Sequence, residues 1–264
     1  MPIQLWLALT TMWLSAACRY DVPLCYNPAG RVLQIENARA AVKRGVPVVG
    51  VAAKDGLALV TKSSSKSKLK GRHKFEFVDE HLCVATCGLA ADTLAVSNVA
   101  KALCSKYKKE FGCNIPIENL ASDLAQWAHD QTRRAGTRPM GVAVLIAGFD
   151  EVAGGQIFSV DPQGACYRWS AHCIGADDAP LVRAFASCNN DPRSLPLSDA
   201  LKRLAEQDDF LGRKPTANSD EEEENKGHCT VLVLRCHRGE GGKTLVTTCM
   251  EESIESLRKY GSPL

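Results

Sequence analysis

The sequence predicts an α+β fold of four layers, an αββα sandwich of two antiparallel sheets flanked by helices. Three observations lead there. The stretch Val46 to Thr61, VPVVGVAAKDGLALVT, holds two apolar runs joined at Lys54-Asp55-Gly56, and Asp-Gly between β-type runs signals a hairpin because Gly accepts positive φ. Both runs are apolar almost throughout instead of alternating, so both strand faces need cover, one from a second sheet and one from helices. Finally, the elements run as strands, two helices, strands, two helices, strands and a helix, without the regular alternation of a parallel sheet.

Composition sets outer limits. The chain has 264 residues, 45% of them hydrophobic, enough for one sizeable core, and it carries neither a linker-like stretch nor an internal repeat. Its net charge of +2, from 32 basic and 30 acidic residues, gives no global reason to expect nucleic acid or membrane as a partner. Twelve cysteines occur without a C-x-x-C pair. Several (Cys83, Cys87, Cys104, Cys173, Cys236) sit inside apolar patterns, which reads as reduced core thiols in a chain of the cytoplasm or nucleus. The rival is a disulfide-rich secreted chain. Residues 1–18, MPIQLWLALTTMWLSAAC, have a signal-like apolar middle but no basic start, and Thr and Ser interrupt a run already short for a bilayer.

In chain order, Asn27-Pro28-Ala29-Gly30 reads as a tight reversal. LQIENARAAVKRG is a helix ending at Lys43-Arg44-Gly45, with cations suited to its C-terminus and Gly suited to the stop. The hairpin follows. KSSSKSKLKGRHK then carries Lys62, Lys66, Lys68, Lys70, Arg72 and Lys74, but no interleaved aromatics, so a solvated loop outweighs nucleic-acid binding. Lys74 opens the strand KFEFVD. LCVATCG leads into a helix from Ala90 to about Phe111, with Val96, Val99, Leu103 and Tyr107 on one face. Pro116 begins the next, with Leu120, Leu124 and Trp127 inward and Arg133, Arg134 and Gly136 at its end. His129 reads as a surface or interface histidine, since no metal-like spacing surrounds it.

Three strands come next, GVAVLIAG, GQIFSV and ACYRWS, the last two joined by Asp161-Pro162-Gln163-Gly164. Two amphipathic helices are expected around Leu181, Val182 and Phe185, and around Leu197, Leu201 and Leu204. Residues 208–228 form a polar insertion with Ser219-Asp220-Glu221-Glu222-Glu223-Glu224, unable to bury a core and expected to be flexible. CTVLVLRC and KTLVTT form a final strand pair across Gly239 to Gly242, followed by a helix carrying Ile254 and Leu257.

Together, Tyr20-Asp21, NPAGRVLQIENARAAVKRG, VVGVAAKDG, CGLAAD at 87–92, TRPMGVAVLIAGFD at 137–150 and DPQG at 161–164 resemble an α-type subunit of the 20S proteasome, from about Tyr20 to Tyr260. FGCNIPIENLASDLAQWAHD and VDEHLCVATCGLAAD are most similar to the seventh α position. The resemblance implies an N-terminal nucleophile hydrolase-like fold, with residues 1–30 as tail and gate turn and 31–264 as one domain. It implies a place in a heteroheptameric α ring against the adjacent β ring, docking of regulatory-particle C-terminal tails, and unfolded polypeptide substrates in transit. It implies no cofactor, and cytoplasm and nucleus as location. The gate cluster would use Tyr20, Asp21 and Pro28. Its fourth member departs: Asn37 stands where the family's Q-V-E-Y-A motif has Tyr, which puts the usual open-gate contacts in doubt. The activator-docking pocket would use Lys74, Gly45 and Leu89, an ammonium beside backbone amides being a sound carboxylate receptor. A strand-edge lysine facing water is the plainer reading of Lys74. For residues 1–19 three readings stay open: a pore-closing tail, a start codon placed too far upstream, or a secretory signal.

Catalysis in that fold needs a Thr, Ser or Cys, freed by self-cleavage after a Gly, whose own amine is the general base. Here the residue after Gly45 is Val46, an isopropyl group that cannot attack a carbonyl. Lys62 stands where catalytic subunits place an acid, and the helix before Gly45 is patterned for packing, not removal. The sequence therefore reads as a non-catalytic α-ring subunit serving assembly, gating and docking in ubiquitin-dependent degradation. The alternative is a self-processing β-type threonine protease subunit.

Overall fold

A computed structural model describes residues 26–63, 74–134, 136–150, 153–175, 183–185, 191–206, 228–234, 236–238, 244–246 and 249–253. After a turn closed by Gly30 N donating to Asn27 O at 2.9 Å, helix α1 spans Leu33–Lys43 and buries Ala38 and Val42. Strands β1 (Val48–Ala52), β2 (Leu57–Ser63), β3 (Phe75–Asp79) and β4 (Leu82–Gly88) follow. Helix α2 (Ala90–Phe111) ends at Gly112, whose φ of 71° is the left-handed cap that glycine accepts without strain. Helix α3 (Ile117–Arg133) starts behind Pro116, and strands β5 (Val142–Asp150), β6 (Gly154–Val160), β7 (Cys166–Trp169) and β8 (Ala171–Ile174) continue the chain. A 3-10 turn at Pro192–Ser194, helix α4 (Leu197–Ala205) and strands β9 (His228–Leu234), β10 (Cys236–Arg238), β11 (Thr244–Val246) and β12 (Cys249–Ser253) complete the described elements.

The strands form two five-stranded sheets, β12-β9-β2-β1-β8 and β3-β4-β5-β6-β7, and a separate β10-β11 ribbon. Every pairing in the larger sheets is antiparallel. Alternate residues of each central strand serve different cores, which is why the strand sequences read as unbroken apolar runs. Val49, Val51, Ala58, Val60, Val231 and Val233 face α4 and the helical turn at 183–185. Val48, Ala52, Leu57, Leu59 and Leu232 meet Cys83, Ala85, Leu145 and Ile157 between the sheets. Val84, Val144, Ile146 and Phe158 face Val96, Ala100, Leu120 and Leu124 of α2 and α3. This is the expected αββα sandwich. Leu145 and Ile146, each 0% exposed, contribute about 1.5–3 kcal/mol apiece from burial.

Several local reasons differ from the expected ones. The β1–β2 hairpin forms, with Ala52 opposite Leu57, but Gly56 is not among the glycines at positive φ. Asp55 instead reaches across to helix α4, accepting the Leu197 amide at 2.6 Å. Gly45 does not stop α1 in the left-handed region either; α1 is closed by the Arg44 amide bonding back to the Ala41 carbonyl and the Gly45 amide to the Val42 carbonyl. Two strands were not anticipated. After β7 the chain crosses at Ser170 to the other sheet, where β8 pairs with β1, and Trp169 stacks on His172 with ring centroids 4.3 Å apart. CTVLVLRC divides into β9, which pairs with β2 and β12, and β10, which alone pairs with the KTLVTT strand. Phe185 is buried as expected. The apolar tail, the basic run at 64–73, Leu181, Val182, residues 207–227, Ile254 and Leu257 lie outside the described residues.

Candidate functional site

The junction between α1 and β1 is the place where a nucleophile would have to stand. Val46 is 40% exposed there and offers only hydrocarbon. Its carbonyl accepts the Cys87 thiol at 3.1 Å, with the Val42 carbonyl 3.4 Å from the same sulfur. The Thr61 hydroxyl is also committed, since its Oγ1 donates to the Pro47 carbonyl at 3.0 Å. Burial pushes the Cys87 thiol up, against a weaker downward pull from the Lys74 ammonium, so it stays protonated at neutral pH. Cys87 is 0% and Thr61 3% exposed, out of reach of a substrate. Helix α1 covers the junction, packing on β4 and β5 through Val42 and Ala38. Among the described residues no three His, Cys, Asp or Glu side chains converge in a metal-like group.

Three of the residues singled out from sequence come together around Cys87-Gly88. Gly45 packs so closely that a Cβ there would lie 2.7 Å from Cys87 Sγ and 2.7 Å from the Gly88 nitrogen. Lys74 precedes β3, half-buried, with its carbonyl accepting the Thr86 amide at 3.3 Å. Leu89, 47% exposed, follows Gly88 at the head of α2. The amides of Gly45 and Leu89 are already bonded, to Val42 O at 2.9 Å and Gly141 O at 3.0 Å. Of this trio, the Lys74 ammonium is therefore the group that can meet a carboxylate. Pro28 lies apart, exposed in the turn before α1, while Tyr20 and Asp21 fall outside the described residues. Asn37 is exposed on α1. His129 is exposed too, its Nδ1 3.2 Å from the Gln163 carbonyl.

Two arrangements escaped the sequence reading. Asp92, 5% exposed in the first turn of α2, receives a two-pronged grip from Arg138, at 2.7 Å on Oδ2 and 2.8 Å on Oδ1. The bonds from Arg138 hold its carboxyl below the usual carboxylate value. A polar residue on the inward side of an apolar helix was the available signal. The second is a cavity of about 330 Å³ beneath α1, lined by Arg39, Lys43, Asp161 and His172 among others. Burial raises the Asp161 carboxyl, opposed by Arg39 and His172. Arg39 lies 3.9 Å from Asp161, in a lining of mixed charge.

Comparison with known proteins agrees with this geometry. A family model described as proteasome subunit matches residues 42–194. Among curated proteins, the chain is 32% identical to a proteasome subunit alpha of Methanocaldococcus jannaschii, over 79% of this chain and 77% of that one. It is 32% identical to a proteasome subunit alpha of Thermococcus sibiricus, over 90% and 89%. A proteasome subunit alpha type-4 of Dictyostelium discoideum is 30% identical over 70% of this chain and 76% of its own.

Proposed function

The chain belongs to the family of proteasome α subunits, and on that premise we propose how its own residues do an α subunit's work. It is a non-catalytic α-ring subunit of the 20S core particle and assembles with other proteasome subunits. One observation carries the non-catalytic assignment: Val46, an isopropyl side chain at the junction between α1 and β1, holds the position of the attacking group. A self-processing protease would need a nucleophilic side chain and a liberated amine at this position, and Val46 supplies no such side chain. N-terminal sequencing of the mature chain, taken from its particle, tests this directly. The expected start lies upstream of Gly45, and a start at or after Gly45 overturns the assignment.

In this reading, Lys74, Gly45 and Leu89 are this subunit's share of a pocket that receives the C-terminal carboxylate of a regulatory particle. The Lys74 ammonium supplies the charge, the exposed Leu89 the apolar contact, and the glycine the close approach. Lys74→Ala should weaken binding of the regulatory particle and leave ring assembly intact; unchanged affinity removes Lys74 from the site. Tyr20, Asp21 and Pro28 act at the gate, through which unfolded substrates pass to the β ring. The finer ring position is the seventh of a heteroheptamer, which FGCNIPIENLASDLAQWAHD and VDEHLCVATCGLAAD support, and the location is cytoplasm and nucleus. Cross-linking mass spectrometry of the intact particle reads the ring neighbours.

A further inference from the structure

We infer that Asp92 and Arg138 are positioning residues that fix the Gly88-Leu89 wall of the Lys74 pocket. This rests on the docking reading given above. The chain of contacts is short. Asp92 Oδ2 accepts the Gly141 amide at 2.9 Å in addition to Arg138 Nη1 at 2.7 Å. Gly141 in turn accepts the Leu89 amide on its carbonyl at 3.0 Å. The same two segments touch without side chains between them. A Cβ on Gly88 would lie 2.0 Å from the Gly141 oxygen, and one on Gly141 would lie 2.8 Å from Leu89 Cδ1. Gly88 is also the residue against which Gly45 rests. Displacing Gly141 therefore moves Leu89 at its amide and at its side chain, and moves the surface that Gly45 packs on.

The ion pair is suited to hold that register. The Asp92 side chain is 8% exposed and Arg138 56%, so the carboxylate is fixed inside and the arginine closes it from outside. The planar fork makes two parallel bonds, and Arg138 Nη1 also donates to the Pro139 carbonyl at 3.1 Å, which ties down the segment leading to Gly141. A lysine delivers the charge but not the fork. Removing Arg138 leaves a buried carboxylate holding the Gly141 amide without its counter-charge, and the wall loosens locally.

The test compares assembled particles carrying wild type, Arg138→Gln, Arg138→Lys and Lys74→Ala. The binding probe is a fluorescent peptide copied from the C-terminus of a regulatory-particle subunit, with its C-terminal amide as control. The second readout is hydrogen exchange at the Leu89 amide, referenced to the Leu120 amide, which bonds the Pro116 carbonyl in α3. In Arg138→Gln, Leu89 should exchange faster at an unchanged Leu120 rate and the peptide should bind about tenfold more weakly. Arg138→Lys should fall between, and it carries the test if the Gln variant fails to assemble. Peptide binding lost in Lys74→Ala but intact in Arg138→Gln, with Leu89 exchange unchanged, overturns the positioning role and leaves docking standing. If wild type does not distinguish the free carboxylate from the amide, docking at Lys74 fails. Leu89 exchange then decides the clamp alone: faster supports it, unchanged overturns it.

Discussion

The Cys87 thiol lies 3.1 Å from the carbonyl oxygen of Val46. In a catalytic member of this fold the chain would begin here, with its amine and nucleophile free. In this chain α1 precedes the junction and packs on β4 and β5, and the Cys87 thiol donates to the Val46 carbonyl. Cys87 is thus a fastener between β4 and the α1–β1 junction, and its chemistry follows from burial.

The first prediction concerns thiol reactivity. Cys113 is exposed, whereas Cys87 and Cys104 are buried and burial pushes the Cys104 thiol to about 12. Brief alkylation of the native isolated chain, followed by peptide mass mapping, should modify Cys113 and spare Cys87 and Cys104. Early modification of Cys87 would mean that the junction opens and that its thiol is available as a reactant.

A second prediction follows from the close approach at the same junction. Gly45→Ala forces a methyl group against Cys87 Sγ and the Gly88 amide, of which the amide cannot move aside. We expect a loss of about 1–3 kcal/mol, the usual cost of overpacking. Equilibrium urea unfolding of the isolated chain reads it, and an unchanged midpoint would show that the junction is looser than described.

These residues also mark what the sequence could reveal. The layers were legible because Val48 and Ala52 serve one core while Val49 and Val51 serve another, so a doubly covered strand has to be apolar at every step. Strands β8 and β12 were not. Ala171–Ile174 is four residues long and follows β7 after Ser170 alone, and CMEES in β12 lacks a strand-like apolar pattern. The hairpin at Lys54-Asp55-Gly56 was placed correctly for a wrong reason. Its aspartate works as a cap for a helix 142 residues further on, a partner no local pattern exposes. At the site, Lys74, Gly45 and Leu89 were found by resemblance to a family. Asp92 and Arg138, 46 residues apart, met only through the fold.

Two carboxylates should give opposite pH dependences, which forms the third prediction. Asp92 is lowered from 3.8 by the Arg138 bonds, so its contribution is full above that value and is lost as pH falls through the lower, folded one. Asp161 is raised from 3.8 by burial, so the folded state binds the extra proton and stability falls as pH rises from 3.8 through the folded value. Unfolding free energies of Asp92→Asn and Asp161→Asn, measured against wild type from acid to neutral pH, should therefore differ from it with opposite slopes. Parallel slopes would contradict the described environments.

The fourth prediction addresses the N-terminal segment. Deleting residues 1–19 from the chain in an assembled particle should raise basal peptide hydrolysis by the partner β subunits, if the segment closes the pore. An unchanged rate would favour an upstream start error or a tail lying aside.

The central claim is that Val46 leaves no nucleophile at the junction between α1 and β1, and the most direct test is covalent labelling. Intact particles treated with an electrophilic peptide inhibitor, then resolved by intact-mass spectrometry, should show adducts on β subunits and none on this chain. An adduct at the processed amino terminus of this chain, freed of its companions, would contradict the account.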